Sequence, residues 1–132
     1  MNYKIAQLKK FDDDRGSLIV FLKESELDDA KKRFGQIYFV TFKKKGMIRG
    51  NHYHKKWHEW FGIITGKVEV CLEDVRTKKR VIFNLSANHG KYIRLEISPF
   101  IAHSFKSLTE YAALLNYADG EWSKKDNFDY KL

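Results

Sequence analysis

Apolar positions along this chain recur in short runs that alternate with polar ones, closer to a period of two than of 3.6. The runs predict strands over Lys4–Lys9, Ser17–Leu22, Gln36–Lys43, Gly50–His54, Glu59–Thr65, Lys67–Leu72, Lys79–Leu85, Lys91–Ile97, His103–Ser107 and Ala112–Asp119. Turn-forming stretches bound several of them: DDDRG, KKKG, TG, LEDVRTKK and NHG. Short strands at such regular spacing predict an all-β fold, an antiparallel sandwich or small barrel. One segment, ESELDDAKKRF, reads as a short helix, with Ser25 as its cap and acids preceding bases along it. Thr65-Gly66 sits between two apolar runs and predicts a tight hairpin, which would set Val68–Leu72 beside Glu59 and Trp60. No repeat, low-complexity tract or linker interrupts the chain, and Pro99 is the only proline. The reading is a single domain over residues 1–132.

Strand alternation places the polar groups inside GMIRGNHYHKKWHEWFGIITG. His52 and His54 share one face and Tyr53 takes the other. If the histidine face is the interior, Glu59 on the next strand reaches the same space. In ISPFIAHSF, Pro99 sets a rigid turn and His103 opens the following strand. His103 is then either a group aimed into the barrel mouth or a surface histidine at a strand end.

Composition narrows the class. Hydrophobic residues at 43% and aromatics at 15% supply a packed core and argue against disorder. The longest apolar runs are too short to span a bilayer. The N-terminus lacks an apolar stretch followed by small residues, which predicts no cleaved leader. A lone Cys71 excludes an internal disulfide and fits a reducing cytoplasm. The net charge of +8 calls for an anionic partner, but bases and acids are interspersed and only KKKGMIRG and HKK cluster. Those clusters flank the histidines, which favours a phosphate-bearing small molecule over nucleic acid.

Gly46, His52, His54, Glu59 and Gly66 satisfy every spacing of G-x5-H-x-H-x4-E-x6-G, so the chain resembles the cupin superfamily. Pro99 and His103 match part of that superfamily's second motif. DDDRGSLIVF, RGNHYHKK and the tail YADGEWSKKDNFDY are similar to segments of dTDP-4-keto-6-deoxyhexose 3,4-ketoisomerases, the WxcM-like family. The resemblance covers nearly the whole chain. It implies a cupin jelly-roll barrel, a homodimer, and a cytoplasmic isomerase of dTDP-linked or other nucleotide-linked keto-sugars serving deoxysugar synthesis for surface polysaccharide or glycans. It implies no metal. Two relatives pull the other way: the dTDP-4-dehydrorhamnose 3,5-epimerases, and cupin domains fused to capsular-polysaccharide reductases, which are associated with a metal and C3 epimerisation. The ketoisomerases carry a neutral residue where this chain has Glu59. With it, His52, His54, Glu59 and His103 complete the superfamily's three-histidine, one-carboxylate metal set.

The chemistry of a 4-keto sugar fits these residue types. Its C3 and C5 protons are acidic because the carbanion delocalises into the carbonyl, so a base near neutral pKa is needed, and histidine suits. His52 and His54 can divide the base and acid roles. Arg15 and Arg49 are candidate clamps for a diphosphate. Tyr38, Tyr53 and Tyr117 are candidates for a phenol donor or a base-stacking platform, with Tyr38 placed in the catalytic set and His103, Tyr53 and Tyr117 among the substrate contacts. In the metal-dependent alternative, His52, His54, Glu59 and His103 bind Zn or another divalent ion, and the base lies elsewhere. A non-catalytic module that binds sugar or metal is the third reading.

Plainer roles suit the remaining polar and aromatic residues. His58 faces away from Glu59, His89 is a turn residue, and Trp57, Trp60 and Phe61 are core or dimer contacts. Cys71 is a buried small hydrophobe. The plainer role for Arg15 is a brace for the DDD turn.

Overall fold

The computed structural model describes residues 1–31, 33–88 and 90–132, with the side chain of Ala30 set aside. Twelve strands make up its regular structure: β1 Tyr3–Leu8, β2 Lys10–Asp13, β3 Gly16–Ile19, β4 Gln36–Phe42, β5 Ile48–Tyr53, β6 Glu59–Thr65, β7 Lys67–Asp74, β8 Arg80–Ser86, β9 Tyr92–Ile97, β10 Ile101–Ser107, β11 Ala112–Ala118 and β12 Phe128–Asp129. Two five-stranded sheets, ordered β1-β9-β6-β11-β4 and β12-β5-β10-β7-β8, face each other, and β2–β3 forms a separate two-stranded ribbon. All strand pairs are antiparallel. This is the all-β cupin barrel expected from the alternation. Between the sheets lie Phe42, Phe61, Ile63, Val68, Val70, Leu72, Leu85, Leu95 and Leu114, the inward-facing members of their strands. The reading of His89 as a turn residue lies outside the described residues.

Three expectations fail. The ESELDDAKKRF helix is absent: the described part holds only single 3-10 turns at Glu24–Glu26 and Asp29–Lys31, and Ser25 makes no cap. The segment has no apolar stripe to bury, and Phe34 is 75% exposed, so packing gives a short helix nothing to lean on. Instead it lies across the outer face of the first sheet. Lys31 pairs with Glu96 on β9 at 2.7 Å, Glu26 pairs with Arg94, and Tyr117 Oη on β11 donates to the Arg33 carbonyl at 2.7 Å.

The Thr65-Gly66 hairpin is also absent. β6 bonds β9 and β11, whereas β7 bonds β8 and β10, so the two strands belong to different sheets. Gly66, at φ 79°, is the corner where the chain passes between them, and a Cβ there would stand 2.4 Å from the Tyr111 carbonyl oxygen. Alternation identifies strands but not their partners. Finally, Cys71 is only half-buried: on β7 it takes the face opposite Val70 and Leu72, with Glu69.

Candidate functional site

A cavity of about 440 Å³ opens at the end of the barrel where β4, β5, β6, β10 and β11 meet, and His52, His54, Glu59, His103, Tyr38 and Arg49 all line it. Strict alternation along β5 would send Arg49 and His52, three residues apart, to opposite faces. A bulge corrects this. His103 pairs with His52 and Ser104 with Gly50, so Asn51 is an extra residue and the register shifts there. Gly50 at φ 98° and Asn51 at φ 58° supply the left-handed backbone the bulge requires. A Cβ on Gly50 would lie 2.5 Å from the His103 carbonyl oxygen. Arg49 thus returns to the cavity side, where its Nε donates to the Thr41 carbonyl at 3.0 Å and its guanidinium stands over Phe42.

Glu59 is the hub. Its Oε1 lies 3.3 Å from His54 Nε2 and 3.5 Å from His103 Nε2, and its Oε2 accepts from Asn116 Nδ2 at 3.0 Å. The His52 ring packs edge-on against His103 at 4.8 Å between centroids and against His54 at 5.1 Å. His103 is buried, which assigns it to the cluster and not to the surface. Its Nδ1 lies 3.2 Å from the Ile101 carbonyl. Asn116, fully buried on β11, escaped the sequence reading, yet a lone amide within AALLNYA is the visible signal of a buried polar contact.

His52 on β5 and His54 just past its end differ in proton affinity. Burial pushes His52 down to about 4, and the like charges of His103 and His54 add to this, outweighing Glu59. Burial pushes the same way on His54, but the hydrogen bond and charge of Glu59 overcome it, and the Asp126 carbonyl adds to them, so its pKa rises. Burial would raise Glu59, but the imidazoles around it, His103 and then hydrogen-bonded His54, pull it down to about 2. His103 is lowered by burial. Burial, helped by the charge of Glu59, pushes the Tyr38 phenol well above its usual value, so it stays protonated and can only donate or accept a hydrogen bond. One cavity therefore holds imidazoles whose proton affinities are driven apart, His52 and His103 down and His54 up, beside a carboxylate and a phenol.

Other expected site residues fall elsewhere. Tyr53 packs on the opposite face against Phe128 at 5.3 Å, as alternation dictates, and so does not line the cavity. Tyr117 is next to Asn116 and therefore faces outward, against Trp60. Arg15 is 85% exposed at the β2–β3 turn and braces it, with Nη2 2.6 Å from Asp13 Oδ2. Trp57 and Phe61, expected only as core or dimer contacts, line the cavity, and the Trp57 ring lies tilted against His54 with centroids 4.8 Å apart. Trp60 is core, and His58 turns away to Asp119 at 3.5 Å. Trp122 and Gln36 at the cavity mouth went unremarked in the sequence reading.

The small antiparallel barrel is the cupin-type fold shared with sugar-nucleotide isomerases and epimerases. The family model FdtA, WxcM-like, C-terminal, matches residues 1–131, and the chain belongs to that family. It is 23% identical over 126 residues to a TDP-4-oxo-6-deoxy-alpha-D-glucose-3,4-oxoisomerase of Aneurinibacillus thermoaerophilus, covering 96% of this chain and 85% of the relative. A crystal structure of a 3,4-ketoisomerase from Helicobacter canadensis superposes with a TM-score of 0.77 at 27% identity, over 97% of this chain and 90% of that one. A dTDP-4-dehydrorhamnose 3,5-epimerase from Bacillus anthracis gives a TM-score of 0.84 at 21% identity, over 97% and 78%.

Proposed function

We propose that the protein is a sugar-nucleotide 3,4-ketoisomerase acting on a TDP-linked 4-keto-6-deoxyhexose. The observation that carries the reading is the convergence, in one cavity, of His52, whose ring packs against the imidazoles of His54 and His103, and His54, which lies 3.3 Å from the Glu59 carboxylate, so that their pKa values are driven in opposite directions. Groups whose environments drive their pKa values apart are suited to act as base and acid. His52 removes the proton on C3 of the sugar. His54, with the Tyr38 hydroxyl, donates to the C4 oxygen as negative charge develops there, giving an enediol. Loss of the C3 hydroxyl proton and protonation of C4 then give the 3-keto sugar, so the net change is one carbon-bound hydrogen moved from C3 to C4 and one hydroxyl hydrogen moved from O3 to O4. Arg49 at the cavity mouth is the candidate contact for the diphosphate. The product would feed deoxysugar synthesis for surface polysaccharide or glycans.

A metal-dependent epimerase is the second reading. The ligand nitrogens of His52, His54 and His103 lie within 4.8 Å of one another, and buried Glu59 Oε1 has no hydrogen-bond partner beyond its two close histidines. A tetrahedral ion at about 2.1 Å from its ligands needs ligands roughly 3.4 Å apart, near the 3.3 and 3.5 Å that separate Glu59 from His54 and His103. His52, His54, His103 and Glu59 would hold it, and it would polarise the ketone as a Lewis acid.

Incubation with TDP-4-keto-6-deoxyglucose in D2O, followed by NMR, separates the readings. A new 3-keto sugar carrying ring deuterium, undiminished after chelator treatment, is the expected result. Inversion at C3 or C5 that requires added divalent ion would replace it with the epimerase. No exchange in either condition would leave a binding module. Support for a homodimer comes from β4, an edge strand whose outer face exposes Ile37 and Phe39, the latter 70% accessible. No helix among the described residues is long and apolar enough to cross a membrane. The lone, unpaired Cys71 supports a cytoplasmic setting.

A further inference from the structure

We infer that Asp126, in the C-terminal segment, is a positioning residue for His54. Its carboxylate grips the chain just after the histidine, so that its own carbonyl dictates which ring nitrogen of His54 carries a permanent proton. Asp126 is only 3% exposed and closes the single 3-10 turn Lys124–Asp126. Its Oδ1 accepts from the Lys55 amide at 2.9 Å and its Oδ2 from the Lys56 amide at 3.1 Å. Both oxygens of a buried carboxylate are thereby satisfied by two main-chain donors that β5 leaves unpaired as it ends. The Asp126 carbonyl lies 2.6 Å from His54 Nδ1. A carbonyl oxygen only accepts, so Nδ1 keeps its hydrogen in either protonation state, and Nε2 alone is left to face Glu59 and the cavity.

The far end of the same loop is held in the same way. Asp119 Oδ1 accepts from the His58 amide at 2.8 Å, and the Asp119 amide donates to the His58 carbonyl at 3.2 Å. β12 then pairs Phe128 with Tyr53 and Asp129 with His52. The loop between β5 and β6 thus takes its shape from residues some sixty to seventy positions later, and the ring orientation of His54 depends on them. Removal of partners that orient a functional histidine costs about 10–100-fold.

The inference rests on the isomerase reading only for its effect on turnover. The decisive measurement needs no substrate: long-range ¹H–¹⁵N correlation of the histidine rings in the full-length protein. In the wild type, His54 shows Nδ1 protonated throughout. In Asp126→Ala the ring populates both tautomers, kcat for TDP-4-keto-6-deoxyglucose falls about 10–100-fold, and KM stays within about threefold. Asp126→Asn, which keeps the shape and one acceptor, gives an intermediate result and decides the matter if the alanine variant does not fold. An unchanged His54 nitrogen pattern, or unchanged turnover, in the folded variants overturns the inference. If the wild type does not turn over this substrate, the ring-nitrogen result still stands, and only the isomerase reading fails.

Discussion

His52 near the end of β5 and His54 just past it lie two residues apart, yet their two regions of the cavity behave in opposite ways. His52 stands against the β10 wall, edge-on to His103 and with no carboxylate against its ring. His54 stands at the β5–β6 loop, between the Glu59 carboxylate and the Asp126 carbonyl. The strand sets where both rings point; their proton affinities come from β6 and the C-terminal segment. A repeated H-x-H spacing therefore supplies two identical side chains, and the layer behind them drives their proton affinities apart.

Removing the base should have the largest effect. His52→Asn should lower kcat by about 10³-fold, within the usual range for a general base, while TDP binding by calorimetry changes by less than about threefold. Equal losses in binding and turnover would return His52 to a binding role. Glu59→Gln should erase the contrast itself. His54 loses the charge that raises its pKa, the alkaline limb of kcat/KM moves to lower pH, and chemical denaturation should show a loss of about 3 kcal/mol for a broken buried pair.

The pH dependence sharpens the comparison without mutation. The acid limb of kcat/KM should fall near pH 4, where His52 takes up a proton, and the alkaline limb above 6.5, where His54 loses one. Stability carries opposite signs at the two sites. The raised pKa of His54 contributes stability that is full below 6.5 and lost as pH rises through its folded value. The depressed pKa of His52 makes the folded state lose stability as pH falls from 6.5 toward about 4. Histidine titrations by NMR check both directions.

Smaller effects follow further out. Asn116→Ala removes one hydrogen bond to Glu59 and should cost about 1–2 kcal/mol, with turnover reduced several-fold. Arg15→Ala is the smallest: an exposed brace to Asp13 should leave the melting temperature and KM unchanged. A raised KM would instead place Arg15 at the site of a second copy.

Much of this was legible beforehand because burial imposes a period. β6 falls at Glu59–Thr65, as its apolar run predicts, and the motif spacing brought His52, His54 and Glu59 together. What escaped is what period two does not encode. β2, KFDD, is too charged and β12 too short to read as strands. Pairing across sheets is invisible to alternation, so Gly66 read as a hairpin and not a corner. Phase is invisible in a strand buried on both faces, so Tyr117 was taken for a site residue and Asn116 missed. Asp126 sits in a polar tail whose burial depends wholly on contacts with a distant loop.

The bulge at Gly50–Asn51 means that β5 is measured in ladder rungs and not in residues. From Arg49 to Tyr53 the strand has five residues but occupies four rungs, because Gly50 and Asn51 together oppose Ser104. A homologous chain lacking Asn51 alone would keep its arginine and both histidines inside. One lacking Tyr53 alone would turn one of the two histidines out to solvent. In this segment the position of a gap, more than its length, decides whether a site survives.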